Sequence, residues 1–244
     1  MPGERADNPR TWDAEVVTDD TEVPVPSPAL PSPLTVAQIK QAELVALSHA
    51  PEDVLMDRAA RAVARVVREE LVAAGQVIRN AHIVILAGSG RNGGDALLAG
   101  ALLARDGADV TAVEVSTSAH ARGRAMFDAA GGVLLNARAE SGLRAADVEV
   151  KSADLVIDGI AGLGGTAGLR APADHLVGVI PSSAVIVSVD LPSGLNADSG
   201  EVTGTHVTAT VTVAFTAPSW CLVTAPASEA AGRIVVADVG VDMV

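Results

Sequence analysis

Beyond residue 34 the chain switches between two hydrophobic rhythms. Thr35-Val-Ala-Gln38 has the form of a capping box, a hydroxyl at the N-cap and a glutamine three residues on, and predicts a helix start. A second helix is expected from near Pro51 to about Ala74. There Leu55, Ala59, Ala62, Val63, Val66 and Val67 recur at three and four residues, leaving Arg58, Arg61, Arg65 and Arg68 largely outward, with Gly75 as the stop. Short apolar runs then alternate with helical stretches. Strands are predicted at 82–87, 109–115, 132–135, 155–157 and 185–189, and helices at 95–105, 118–130 and around 172–180. Residues 208–215 and 233–237 are strand-like, with no helical pattern between them. Strands separated by helices predict an α/β fold, a mostly parallel sheet covered on both faces. No internal repeat or second compositional domain is visible, so 34–244 is expected to form one domain.

Residues 1–33 read differently. They hold Pro2, Pro9, Pro24, Pro26, Pro28, Pro31 and Pro33, and their charged residues are mostly acidic. Alternating prolines such as Pro24-Val-Pro-Val-Pro28 favour extended conformations without a hydrogen-bonded ladder, so a disordered tail or an arm on a neighbouring surface is expected.

Composition narrows the function classes. A hydrophobic content of 49% is ample for a core, but only 2% of residues are aromatic and none is Tyr, so Val, Leu, Ile and Ala must fill it. The net charge of −13, from 30 acidic and 17 basic residues, would be repelled by nucleic-acid phosphate, and few aromatics leave no stacking platform. No apolar run is long enough for a membrane span and no signal-peptide layout is present, so a soluble cytoplasmic protein is expected. Cys221 is the lone cysteine, which rules out an internal disulfide, and it reads as a buried inert thiol. His49, His82, His120, His175 and His206 lack metal-ligand spacing.

The chemistry gathers after apolar runs. Gly88-Ser-Gly-Arg-Asn-Gly93 satisfies the G-x-G-x-x-G spacing between a strand and a helix, and Glu114 falls near the place of a ribose-binding acid. Asp95 argues against a dinucleotide fold, because a carboxylate in the first helical turn would repel a pyrophosphate and compete for its N–H donors. Asp158 opens Gly159-Ile-Ala-Gly-Leu-Gly-Gly-Thr-Ala-Gly168, whose five glycines in ten residues either let a ligand approach main-chain N–H groups or merely make turns. Asp190, ending another apolar run before Leu-Pro-Ser193-Gly, is a candidate general acid/base or else a turn carboxylate. Asn92, Asp158 and Ser193 would converge from three strand ends. Hard oxygens with a single carboxylate suit an alkali or alkaline-earth cation rather than zinc.

Four segments, Leu55-Met-Asp-Arg-Ala-Ala60, Gly88 to Asp95, Asp158 to Gly164 and Ser188 to Gly194, stand in the order and approximate spacing of the NAD(P)H-hydrate epimerase (YjeF N-terminal) domain. The chain resembles that family from about Thr35 to Asp242. The resemblance implies a Rossmann-like three-layer αβα sandwich, commonly a homodimer, that interconverts the R and S forms of NADH or NADPH hydrated at C6 of the nicotinamide ring. A dehydratase, the functional partner, then restores the coenzyme. By resemblance, Arg91, Asn92, Gly93, Gly94 and Asp95 form the first substrate-binding segment. Gly162, Leu163, Gly164, Gly165, Thr166, Ala167 and Gly168 form the phosphate-approaching loop, Asp190 is the substrate-contacting acid/base, and Asn92, Asp158 and Ser193 hold a potassium ion. Family members often carry Asn where Arg91 stands, Lys is frequent in some branches at the position of Thr166, and many members carry Lys at that of Ser219. Many bacterial relatives continue into a dehydratase domain about where this chain stops, which makes it resemble a stand-alone or truncated epimerase unit. Two other readings compete. One is a non-catalytic nucleotide-binding or assembly module on the same fold, and the other an NAD-dependent oxidoreductase resting on the glycine fingerprint alone.

Overall fold

The computed structural model describes residues 14–17 and 31–241. Its centre is an eight-stranded, wholly parallel sheet among the described residues: β1 (Ala14–Val17), β2 (His82–Ala87), β3 (Asp109–Glu114), β4 (Val133–Asn136), β5 (Leu155–Gly159), β6 (Val185–Val189), β7 (Val211–Phe215) and β8 (Arg233–Ala237). The strand order is β1-β8-β7-β6-β5-β2-β3-β4. The chain thus builds outward from β2 to one edge, crosses back to β5, and continues to the other. That crossing is the topological switch point at which open parallel sheets place ligands.

Helices cover both faces. The switch from period 2 to period 3.6 produces α1 (Val36–His49), α2 (Glu52–Ala73), α3 (Arg91–Arg105), α4 (Ala121–Ala129), α5 (Glu140–Lys151), α6 (Ala173–Gly178) and the one-turn α7 (Trp220–Val223). On one face α2, α3 and α4 bury Val63, Val67, Leu97, Leu103 and Phe127 against Ile83, Ile85, Ile157 and Val187 of the strands. On the other, α5 and α6 bury Ala146, Val150 and Leu176 against Val84, Leu86, Val113 and Val156. Alternate residues of one strand serve opposite cores, as the pleat requires. The α/β three-layer expectation therefore holds.

Local signals hold too. The Thr35 hydroxyl accepts from Gln38 N at 3.3 Å, and the Gln38 side chain accepts from Thr35 N at 2.9 Å, completing the capping box. Three expectations change. Helix α3 starts four residues earlier than the pattern suggested, with Gly90 as N-cap, so Asn92 to Asp95 are helical. Helix α5 was not foreseen: its apolar residues Leu143, Ala146 and Val150 are sparse among charges. The stretch between β7 and β8, expected to lack helix, contains α7 and a 3₁₀ turn at Ala227–Ala230. Within the segment read as a tail, Ala14–Val17 pairs in parallel with β8, while the rest of 1–30 lies outside the described residues.

Candidate functional site

A cavity of about 440 Å³ lies beyond the carboxyl ends of β5, β6 and β7, at the switch point. The start of α3, the loop after β5 and the ends of β6 and β7 line it from the sheet side, and α1, the start of α2 and the segment after β8 line it opposite. Arg91, Asn92 and Asp95 meet Gly162, Leu163, Gly164, Gly165 and Asp190 in its wall. The two glycine segments and the late aspartate, far apart in sequence, therefore share one site.

Asp190 is its chemical centre. It follows β6 with φ +71°, and one carboxylate oxygen accepts from Leu163 N at 3.1 Å, which ties the glycine loop to the strand end. Burial, with Glu43 nearby adding negative charge, pushes its pKa up to about 7, against the pull of the Leu163 N–H, the Asn92 amide and Arg91. A carboxyl group poised there exchanges protons near neutrality. Asp95 is 6% exposed, burial lifts its pKa well above the usual carboxylate range despite Arg91, and its Oδ1 has no hydrogen-bond partner among the described residues. Arg91 does not point its charge freely into the cavity, because its Nη2 donates to Glu43 Oε2 at 2.6 Å across to α1.

Asn92 donates Nδ2 to Val189 O at 2.8 Å and packs on Gly162, where a Cβ would come within 2.3 Å of that nitrogen. Only glycine lets the loop approach this closely. Behind the wall, Asp158 is fully buried. Its Oδ1 accepts from the Ser193 hydroxyl at 2.6 Å and Ile160 N at 3.3 Å, and its Oδ2 from Ser193 N at 2.8 Å and the Ser188 hydroxyl at 2.9 Å. No cationic side chain pairs with it among the described residues. A fully desolvated carboxylate whose partner hydroxyl, Ser193, also reaches the Ala161 carbonyl offers hard oxygens of the kind a monovalent cation takes. Its four lone-pair positions are filled, however. Admitting a cation requires the Ser193 hydroxyl to turn to Ala161 O, 3.1 Å away, which frees one position on Oδ1 while Ile160 N keeps the other.

The remaining expected residues lie elsewhere. Gly93 and Gly94 are buried, Gly93 against the Gly88 carbonyl and Gly94 against Met56 and His120, so their role here is close packing of α3. Thr166, Ala167 and Gly168 do not line the cavity; Gly168 N donates to Gly194 O and Leu169 N to Thr205 O, folding that end of the loop away. Glu114, near the ribose-acid position of a dinucleotide fold, is buried and accepts from Ala119 N at 3.0 Å and Arg124 Nη1 at 3.2 Å. Both bonds fall on Oε1, and Glu114 does not line the cavity. Ser219 is buried with its hydroxyl 3.1 Å from the Cys221 thiol, and burial pushes that thiol's pKa up. Sequence reasoning missed Lys40, Glu43 and Leu47 of α1, Glu52 and Met56 of α2, and Thr216, all of which line the cavity. Helical periodicity marks a buried face, but it carries no sign that α1 turns part of itself to a site.

Fold and cavity together define a parallel α/β protein with a small-molecule site at the carboxyl ends of its strands. Residues 52–221 match the family described as YjeF-related protein N-terminus, and the chain belongs to that family. The NAD(P)H-hydrate epimerase of Clavibacter sepedonicus is 37% identical over 216 residues, 85% of this chain and 90% of that protein. The bifunctional NAD(P)H-hydrate repair enzyme Nnr of Mycobacterium tuberculosis is 35% identical over 213 residues, 86% of this chain but 41% of that protein. The chain thus spans about two fifths of the bifunctional relatives. The crystal structure of yeast ynu0, YNL200c, has a TM-score of 0.65 at 20% identity, covers 78% of this chain and 82% of that one, and shows the same fold. No helix among the described residues is long and apolar enough to cross a membrane.

Proposed function

We propose that this chain is an NAD(P)H-hydrate epimerase, an isomerase acting on the R and S forms of NADH or NADPH hydrated at C6 of the nicotinamide ring. One observation carries the reading: the Asp190 carboxyl, its pKa raised to about 7, is tied by a hydrogen bond to the glycine loop at the wall of a cavity of about 440 Å³. It is supported by the similarity to the Clavibacter epimerase along nearly all of that protein's length.

The chemistry asked of the site is modest. The ring-nitrogen lone pair expels the C6 oxygen as Asp190 delivers a proton, so that the oxygen leaves as water and the ring becomes an iminium. Water then adds to the other face and returns a proton to Asp190. A carboxyl near pH 7 serves both halves of this cycle. The cavity supplies orientation: Gly162 to Gly165 offer a close backbone approach for the diphosphate, and Leu34, Leu55 and Met56 supply apolar surface for the rings. A potassium ion held by Asn92, Asp158 and Ser193 would supply positive charge that fixes these loops and offsets nearby carboxylates. A homodimer in the cytoplasm, with a dehydratase consuming one epimer, completes the proposal.

The test is stereochemical. Purified R or S hydrate is incubated with the protein, and the epimers are separated by chromatography over time. Wild type should speed the approach to the equilibrium mixture, and Asp190→Asn should return it to the spontaneous rate. Equal rates with and without wild-type protein would end the assignment.

A further inference from the structure

Two neighbouring strands end in the same unusual way. Leu191 N donates to Val189 O at 2.9 Å and Ala217 N donates to Phe215 O at 2.8 Å, so Asp190 and Thr216 each sit at the centre of a three-residue turn. Their φ values are +71° and +69°. An i→i+2 bond with positive φ is the rare, strained form of the γ-turn. Strands β6 and β7 are hydrogen-bonded neighbours, and both central residues line the cavity.

The strain at Asp190 has an account, since aspartate tolerates the left-handed region and its carboxylate is the proposed acid/base. Thr216 has no such account. A β-branched residue with positive φ is a genuine outlier, and glycine would take the turn freely. Its hydroxyl is also buried without a hydrogen-bond partner among the described residues. The surroundings hold the turn in place. Thr216 N donates to Ala237 O at 2.9 Å, and the following loop is stitched to Leu34 by Leu34 N to Pro218 O at 3.0 Å and Trp220 N to Leu34 O at 2.9 Å. A strained turn and an unpartnered hydroxyl on one cavity-lining residue are what a ligand contact would explain, the side chain turning about χ1 to meet it.

We propose that Thr216 is a substrate-contacting residue whose hydroxyl hydrogen-bonds a polar substituent of the hydrated nicotinamide ring, its carboxamide or its C6 hydroxyl, beside Asp190. This rests on the epimerase reading. The two γ-turns then act as a pair, one presenting the group that moves the proton and the other a group that fixes the ring. Threonine supplies a hydroxyl at this turn that the less strained glycine would lack.

Three variants of the full chain test this. Thr216→Val keeps the shape and the strain but removes the hydroxyl, Thr216→Ser keeps the hydroxyl, and Thr216→Gly removes the hydroxyl and relieves the turn. For each, Tm, kcat and KM with the hydrate, and Kd for NADPH by calorimetry are measured. One lost buried hydrogen bond predicts a fall in kcat/KM of roughly 5- to 50-fold for Val, with Ser restoring most of it. Gly should raise Tm while losing activity as Val does, a combination that a purely structural role does not produce. NADPH carries the carboxamide but no C6 hydroxyl. Parallel weakening of NADPH binding assigns the contact to the carboxamide, and a loss confined to the hydrate assigns it to the C6 hydroxyl. Val within about twofold of wild type for both ligands overturns the proposal and leaves the epimerase reading intact. If wild type fails to epimerise, the reading falls, and the NADPH arm decides Thr216 alone: weaker binding by Val sustains the contact, whereas unchanged or absent binding overturns it.

Discussion

Replacing Asp190 by asparagine probes the site through stability as well as turnover. Asparagine keeps the volume, can still accept from Leu163 N, and tolerates the left-handed backbone at this position. What it removes is a carboxylate whose pKa burial lifts from 3.8 to about 7. The folded protein therefore binds this proton more tightly than the unfolded chain does. Below pH 3.8 both states are protonated and the group makes no difference. Between that value and about 7 only the unfolded chain is ionised, so stability falls as pH rises, and above 7 the loss is complete. At about 1.4 kcal/mol per pH unit the full effect is roughly 4 kcal/mol, and because Asp190 keeps part of its surface accessible, screening reduces it to about 2–4 kcal/mol. The asparagine variant escapes this loss. Its advantage over wild type should be larger at about pH 8 than at about pH 5 by roughly 2 kcal/mol, or about 4–8 °C in Tm for a chain of this length. Urea unfolding of both proteins across this range, in potassium-free buffer, measures the difference while other carboxylates largely cancel. A difference that does not change with pH would refute the raised pKa, and with it the idea of Asp190 as a base poised near neutrality.

Two further perturbations separate the parts of the site. Gly162→Ala drives a Cβ to within 2.6 Å of three Asn92 side-chain atoms. It should lower kcat/KM by at least about tenfold while shifting Tm little, because the displaced side chain borders the cavity; unchanged kinetics would show that the loop adjusts without moving Asn92. Exchanging tetramethylammonium for potassium should raise the Tm of wild type by a few degrees, and Asn92→Ala should abolish the increment; an equal increment in both proteins would exclude Asn92 as a ligand.

Fold class was legible because parallel strands buried on both faces read as continuous Val/Ile/Leu runs, and 82–87 and 185–189 appear in the structure at the same boundaries. The capping box at Thr35 was legible for the opposite reason, since its two hydrogen bonds close within four residues. Helix α5 was not, because two fully buried side chains in a short helix give periodicity little to register. In the site, Asn92, Asp95 and Asp190 stood out because each follows an apolar run with small residues around it. Glu43 and Thr216 carried no comparable mark. One is an ordinary acid on an amphipathic helix, and the other an ordinary threonine after a strand.

The chain alone thus determined what is local: where strands and helices form, which loops are glycine-rich, and which polar residues sit at strand ends. Tertiary structure decided which of these ends meet. The order β7-β6-β5-β2 brings Asp190, the 162–165 loop and Asn92 into one wall, and α1 closes over them with Glu43 drawing off the charge of Arg91. Packing also decided the chemistry. An aspartate is an aspartate in any sequence, but only removal from water beside other carboxylates brings its proton affinity to neutrality.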